Sequence, residues 1–164
     1  MPTNFDPNRY VQDLVASFRS KDPEPYLRHY AENAELTDPT TQQPVRGREG
    51  VRANWEQWSS AFGEVEASLQ HGIVSGNKAA VLIDMKGRHT GDLALGPGET
   101  VPATNKAVKQ QIAAFLTLDS EGKIVRDQTV FDLASMLQQL GLMPSPQTGA
   151  VPPTGRTPQT PARR

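Results

Sequence analysis

The hydrophobic pattern of this chain changes period near Gly63, which restricts it to folds that place helices first and a sheet after them. Before that point apolar residues recur at helical spacing. Tyr10, Val11, Leu14, Val15 and Phe18 predict a helix from about Asn8 to Arg19, opened by the Asp6-Pro7 pair. A second, shorter helix is expected after Asp22-Pro23, with Tyr26, Leu27 and Tyr30 on one face, ending before Asn33. Ala34 to Asp38 reads as extended, Pro39 and Pro44 break the chain, and Val45 to Gly47 suits a short strand. From Gly47 a third helix is expected, with Val51, Trp55, Trp58 and Phe62 along one side.

Beyond Gly63 the pattern alternates or stays apolar, as strands require. Val65 to Ile73 and Lys78 to His89 form an expected hairpin through Ser75-Gly76-Asn77. Ala107 to Leu118 and Gly122 to Phe131 form another through Asp119-Ser120-Glu121-Gly122. A last helix, Leu133 to Leu140, has Asp132 as its cap and Gly141 as its stop. This order predicts an α+β domain with three to four helices packed on a curved, mainly antiparallel sheet.

The domain is expected to fill residues 1–142. From Met143 to Arg164, prolines alternate with Thr, Gln, Gly and Arg and offer little to bury, so a disordered tail is expected there. The tail carries three of the 17 basic residues and none of the acidic ones, leaving 14 basic against 18 acidic in the domain. A mildly acidic domain lacks the clustered cations that would track a phosphate backbone, so no nucleic-acid partner is expected. With no cysteine, thiolate nucleophiles and cysteine-held metals are excluded. No run of 18 apolar residues and no leader pattern occurs, which points to no membrane and a cytoplasmic location.

Three separated points could carry chemistry. Asp132 would have its charged form disfavoured if it faced an apolar cavity, and could then take and return a proton. It could equally serve only as a helix cap. Strand alternation puts residues 127, 129 and 131 on one face and 128, 130 and 132 on the other. Either Asp127 or Asp132 can therefore point inward from a regular strand, and both only if its end bends. Asp38, before a proline, suits a pocket-edge carboxylate or a turn initiator. His89, in the run Gly87-Arg88-His89-Thr90-Gly91-Asp92, could polarise a carbonyl or simply make a hydrogen bond in the core. His29 and His71 match no metal-ligand spacing, so no metal is expected. Phe18, Tyr30, Trp55, Trp58, Met85 and Phe131 fit either a core stripe or a cavity wall, with Asp127 and Gln128 as polar candidates beside them.

These residues resemble the nuclear transport factor 2-like superfamily, in particular its SnoaL-like branch of polyketide (ester) cyclases. The resemblance runs from Tyr10 to Leu142. It is carried by Gly87 to Asp92, by Gly122-Lys123-Ile124, and by Asp132 followed by Gln139-Leu140-Gly141. The stretch Tyr30 to Pro39 and Gly47 to Val51 is also similar to ketosteroid isomerases, whose proton-shuttling Asp corresponds to Asp38. The resemblance implies a cone-shaped domain enclosing an apolar cavity, and a homodimer through the outer sheet face. It further implies a cofactor-independent acid/base reaction on a small apolar or aromatic carbonyl compound, with Asp132 moving the proton and His89 and Asp38 assisting. Leu14 and Ala114 stand where the isomerases carry oxyanion donors, and neither side chain can donate a hydrogen bond. Gln128 and the Thr104-Asn105 pair also depart from the cyclase pattern.

Overall fold

The computed structural model describes residues 5–144. The expected Pro-rich tail lies outside the described residues from position 145 onward. The first helix, α1, spans Pro7–Ser17, and the Asp6 carboxylate caps it by accepting from the backbone N–H groups of Asn8 and Arg9. The second, α2, is a single turn, Glu24–Leu27. Tyr30 lies outside it. The residue opens strand β1, Tyr30–Thr37, with its side chain fully buried.

After β2 (Val45–Arg46) comes α3, Gly47–Ala61. The helix stops one residue short of Phe62, whose extended backbone begins β3, Phe62–Ser75, earlier than the periodicity suggests. β4 (Lys78–His89) pairs with it as expected. A small hairpin that the pattern did not announce, β5 (Leu93–Gly96) and β6 (Glu99–Val101), precedes β7, Ala107–Leu118. The fold closes with β8 (Ile124–Phe131) and α4 (Leu133–Leu140).

Six strands form one sheet in the order β2-β1-β8-β7-β4-β3, with every pairing antiparallel except β1 with β8. The architecture is the expected α+β domain, a curved sheet with helices against its inner face. Alternation decides what faces inward. On β7, Val108, Ala114 and Leu116 are buried, while Lys109 and Phe115 are exposed. The main core joins Val11, Leu14 and Val15 of α1 to Leu27, Tyr30, Ile83 and Ile124. Truncating a fully buried member such as Ile83 to Ala costs about 2–5 kcal/mol. A second cluster, Ala61, Leu93, Val108, Met136 and Leu140, locks α3 and α4 onto the far end of the sheet.

Gly141 ends α4 in the left-handed conformation, φ 77°, with the N–H groups of Leu142 and Gly141 closing on Leu137 and Gln138. No helix among the described residues is long and apolar enough to cross a membrane.

Candidate active site

Between the helices and the concave sheet face lies a cavity of about 180 Å³. Its wall is mostly apolar. Trp55 and Trp58 of α3, Phe18 after α1, Met85 of β4 and Phe131 of β8, left open between core and cavity wall by the sequence, line it together with Tyr26, Phe62 and Ile83. The Trp58 ring meets Phe131 edge-on, centroids 5.6 Å apart, and stacks on Phe62 at 6.1 Å. Asp38 is the only acid that lines it among the described residues.

Asp38 arrives there at the end of β1, where Pro39 and a tight turn fix the backbone. Its N–H donates to Thr41 Oγ1 at 3.0 Å, and its carbonyl accepts from Thr41 N–H at 3.1 Å. Oδ1 accepts from Thr40 N–H at 2.7 Å and from Thr40 Oγ1 at 2.6 Å. Oδ2 accepts from Asn54 Nδ2 at 3.2 Å and Trp58 Nε1 at 3.3 Å. Asn54 and Trp58 are four apart on α3 and so share a face. The two sequence readings of Asp38 therefore combine, because a turn initiator also presents its carboxylate to the cavity.

Asp127 points inward from β8 and is 3% exposed, behind the cavity wall. Tyr30 donates to its Oδ2 at 2.5 Å and Thr129 to its Oδ1 at 2.9 Å, while the hydroxyls of Tyr30 and Tyr26 lie 2.5 Å apart. Burial pushes the Asp127 carboxyl up to about 6; the two hydrogen bonds pull it down, and the Asp38 charge adds to the rise. The sequence pattern put Tyr26 and Tyr30 together but did not reveal this chain. Its signal was the parity of residues 127, 129 and 131.

Asp132, the foremost candidate from sequence, is exposed and does not line the cavity. Its Oδ1 accepts from Ser135 N–H at 2.9 Å, so it caps α4. β8 runs to its end without the bend that would turn both acids inward; Asp127 takes the inner face and Asp132 is left outside. Gln128 is likewise exposed, opposite Phe115 on the outer sheet face. Tyr30 sits beneath the wall rather than in it.

His89 is fully buried, yet it too stands outside the cavity lining. Its ring packs at 5.4 Å on Phe62. Nδ1 accepts from Thr104 N–H at 3.2 Å and lies 3.1 Å from Thr104 Oγ1; Nε2 has no partner among the described residues. Burial lowers its basicity, against a smaller pull from Asp92. The motif around it is a joint. The N–H groups of Thr90 and Gly91 bond Ala61 O, and a Cβ on Gly91 would overlap the Ser60 carbonyl. Among the described residues no three His, Asp or Glu side chains gather as a metal site would need.

Residues 11–127 match the model of the SnoaL-like domain. The chain belongs to the SnoaL-like domain family. Solved structures agree on the fold. TsrD from Streptomyces laurentii is 20% identical, with TM-score 0.69, over 83% of this chain and 95% of its own. IdmH from Streptomyces antibioticus, a candidate polyketide cyclase, is 24% identical, with TM-score 0.67, over 84% and 99%. A candidate SnoaL-like polyketide cyclase from Jannaschia sp. CCS1 is 16% identical, with TM-score 0.72, over 87% and 100%. At such identities the likeness establishes the fold alone. No protein of curated function matches in sequence.

Proposed function

We propose that this SnoaL-like domain binds a small, largely apolar carbonyl compound and that Asp38 takes and returns a proton at the carbon beside the carbonyl. That is acid/base chemistry of the cyclase or isomerase type, and it needs no cofactor. The observation that carries it is the placement of Asp38, the only acid among the described residues on the wall of an aromatic-lined cavity, with Asn54 and Trp58 holding it from α3. The candidate cyclases of the same fold are consistent with this chemistry. Asp132 has no part in it, because its carboxylate is engaged outside the cavity.

One observation favours a purely ligand-binding role as a second reading. Each Asp38 oxygen already accepts two hydrogen bonds, so a carbon-bound proton must displace a donor. Deuterium uptake from D2O into the methyl group of acetophenone separates the two. The catalytic reading expects uptake that falls about 100-fold or more in Asp38→Asn, the usual scale of a lost general base. Uptake at the rate of protein-free buffer, with acetophenone bound, leaves only the binding role.

The same reading includes a homodimer through the outer sheet face. Ile73 and Phe115 are 67% and 55% exposed there, beside Val130, and such a patch favours burial against a second copy. Equilibrium sedimentation is expected to show a dimer that Phe115→Lys weakens; a monomer at every concentration for the unaltered chain removes this part.

A further inference from the structure

The isomerase-like frame lacks oxyanion donors at Leu14 and Ala114: Leu14 is buried in the core and Ala114 presents only a methyl group to the cavity. A proton taken by Asp38 would leave an enolate oxygen with nothing from those positions to bond it. Another hydroxyl is available. Tyr26 lines the cavity, and so does Thr129, at the two ends of the buried chain that joins Tyr26 to Tyr30, Asp127 and Thr129.

We infer that Tyr26 is the oxyanion donor of this cavity and that the protonation of Asp127, passed through Tyr30, decides whether its hydroxyl donates to a ligand or only accepts. The inference rests on the proposed binding of a carbonyl compound. Counting hydrogens gives the mechanism. With Asp127 ionised, Tyr30 and Thr129 spend their protons on its two oxygens. The 2.5 Å bond between the phenols must then be filled by the proton of Tyr26, which keeps only lone pairs for the cavity. With Asp127 protonated at Oδ2, the direction reverses: Asp127 donates to Tyr30, Tyr30 to Tyr26, and Tyr26 to the ligand oxygen. When Asp38 then removes the carbon-bound proton, the electron pair left behind becomes the enolate double bond. The charge arriving on oxygen meets a donor already aimed at it.

The surroundings of Asp127 suit such a switch. Tyr30 of β1 and Thr129 of β8 bond it, Tyr26 of α2 and Tyr10 of α1 lie beyond them, and Asp38 stands across at the cavity. Burial and the Asp38 charge put its titration at about 6, within the range where both directions of the chain are populated. Neither phenol ionises in that range, since burial and the Asp127 charge raise both.

The test compares acetophenone with α-methylstyrene, which has nearly the same shape but a methylene in place of the carbonyl oxygen, in titrations from pH 8 to pH 5. The unaltered protein is expected to raise its preference for the ketone roughly three- to tenfold as the pH falls, the worth of one added hydrogen bond. Tyr26→Phe should hold a low preference at every pH. Tyr30→Phe frees the Tyr26 hydroxyl and should hold a high, flat one; because it retains Asp38, a pH dependence surviving in it would have its origin outside the relay. A pH-independent preference in the unaltered protein, or a pH dependence surviving in Tyr26→Phe, overturns the inference. If neither compound binds, the carbonyl-binding reading falls and takes the inference with it; equal binding of both at every pH removes the relay alone.

Discussion

The two polar regions of this domain are built differently. At the cavity, Asp38 and Asp127 are buried, and side-chain hydroxyls, an amide and an indole N–H supply most of their bonds. Around the ends of β4 and β8, the bonds of His89 and Asp132 include backbone N–H groups of Thr104 and Ser135, and Thr90 and Gly91 bond Ala61 O. A polar residue tied to the backbone of a neighbouring element is a joint, because moving it would unmake a turn or a cap. One held chiefly by side chains at the wall of an apolar cavity can exchange partners with a ligand. On the proposed function, this difference, rather than residue type, separates chemistry from construction.

The largest expected effect tests that division directly. Asp38→Asn should lower turnover by about 100-fold or more while acetophenone still binds, whereas Asp132→Asn should leave turnover within about twofold, because Asn caps a helix as well as Asp does. Steady-state rates of both variants decide it, and a collapse in Asp132→Asn would reverse the assignment.

Next comes pH. Asp127 has a folded pKa of about 6 against 3.8 when unperturbed, so the native state holds its proton longer than the unfolded chain. Its contribution to stability is therefore lost as pH rises from about 4 to about 6, an effect of roughly 3 kcal/mol. His29 has the opposite sign. Burial lowers it to about 4, so the unfolded chain takes up the proton first, and stability is lost as pH falls from 6.5 towards 4. The two slopes oppose each other in the unaltered protein. Asp127→Asn should leave the His29 slope unopposed and make acid destabilisation between pH 6 and pH 4 steeper by about 3 kcal/mol in urea unfolding. An unchanged slope would show that the cavity region carries no strained carboxyl.

Smaller effects belong to the joints. Gly91→Ala should cost about 2 kcal/mol, because its new methyl must push against the Ser60 backbone. Asp132→Ala should cost about 1 kcal/mol through the lost cap. Thermal unfolding measures both. If either variant lost ligand affinity without losing stability, the line between joint and site would have to be redrawn.

Much of this was legible in the chain. The period change after α3, the caps at Asp6 and Asp132, the stop at Gly141 and the paired long strands all follow from local chemistry, and each is present. The sequence left Phe18, Trp55, Trp58, Met85 and Phe131 open between core stripe and cavity wall, because either place asks for the same apolar side chains; all five line the cavity. The β5–β6 hairpin was missed because Leu93–Gly96 and Glu99–Val101 are too short to show a period. His89 stayed open between two roles because a strand-end histidine reads alike whether its ring meets a cavity or, as here, the Thr104 backbone.

By itself the sequence determined the fold class, the order of the long elements and the apolar character of the interior, because propensity, capping and alternation act over a few residues. It also reduced the choice of inward acid on β8 to Asp127 or Asp132, since their positions differ in parity. Only the tertiary structure decided that Asp127 is the one buried and that Tyr26 and Tyr30 link it to the cavity, where Asp38 meets Asn54 and Trp58. Those contacts join residues up to 97 positions apart. Their geometry depends on how far the sheet curves and where α3 comes to rest on it, which no local pattern encodes.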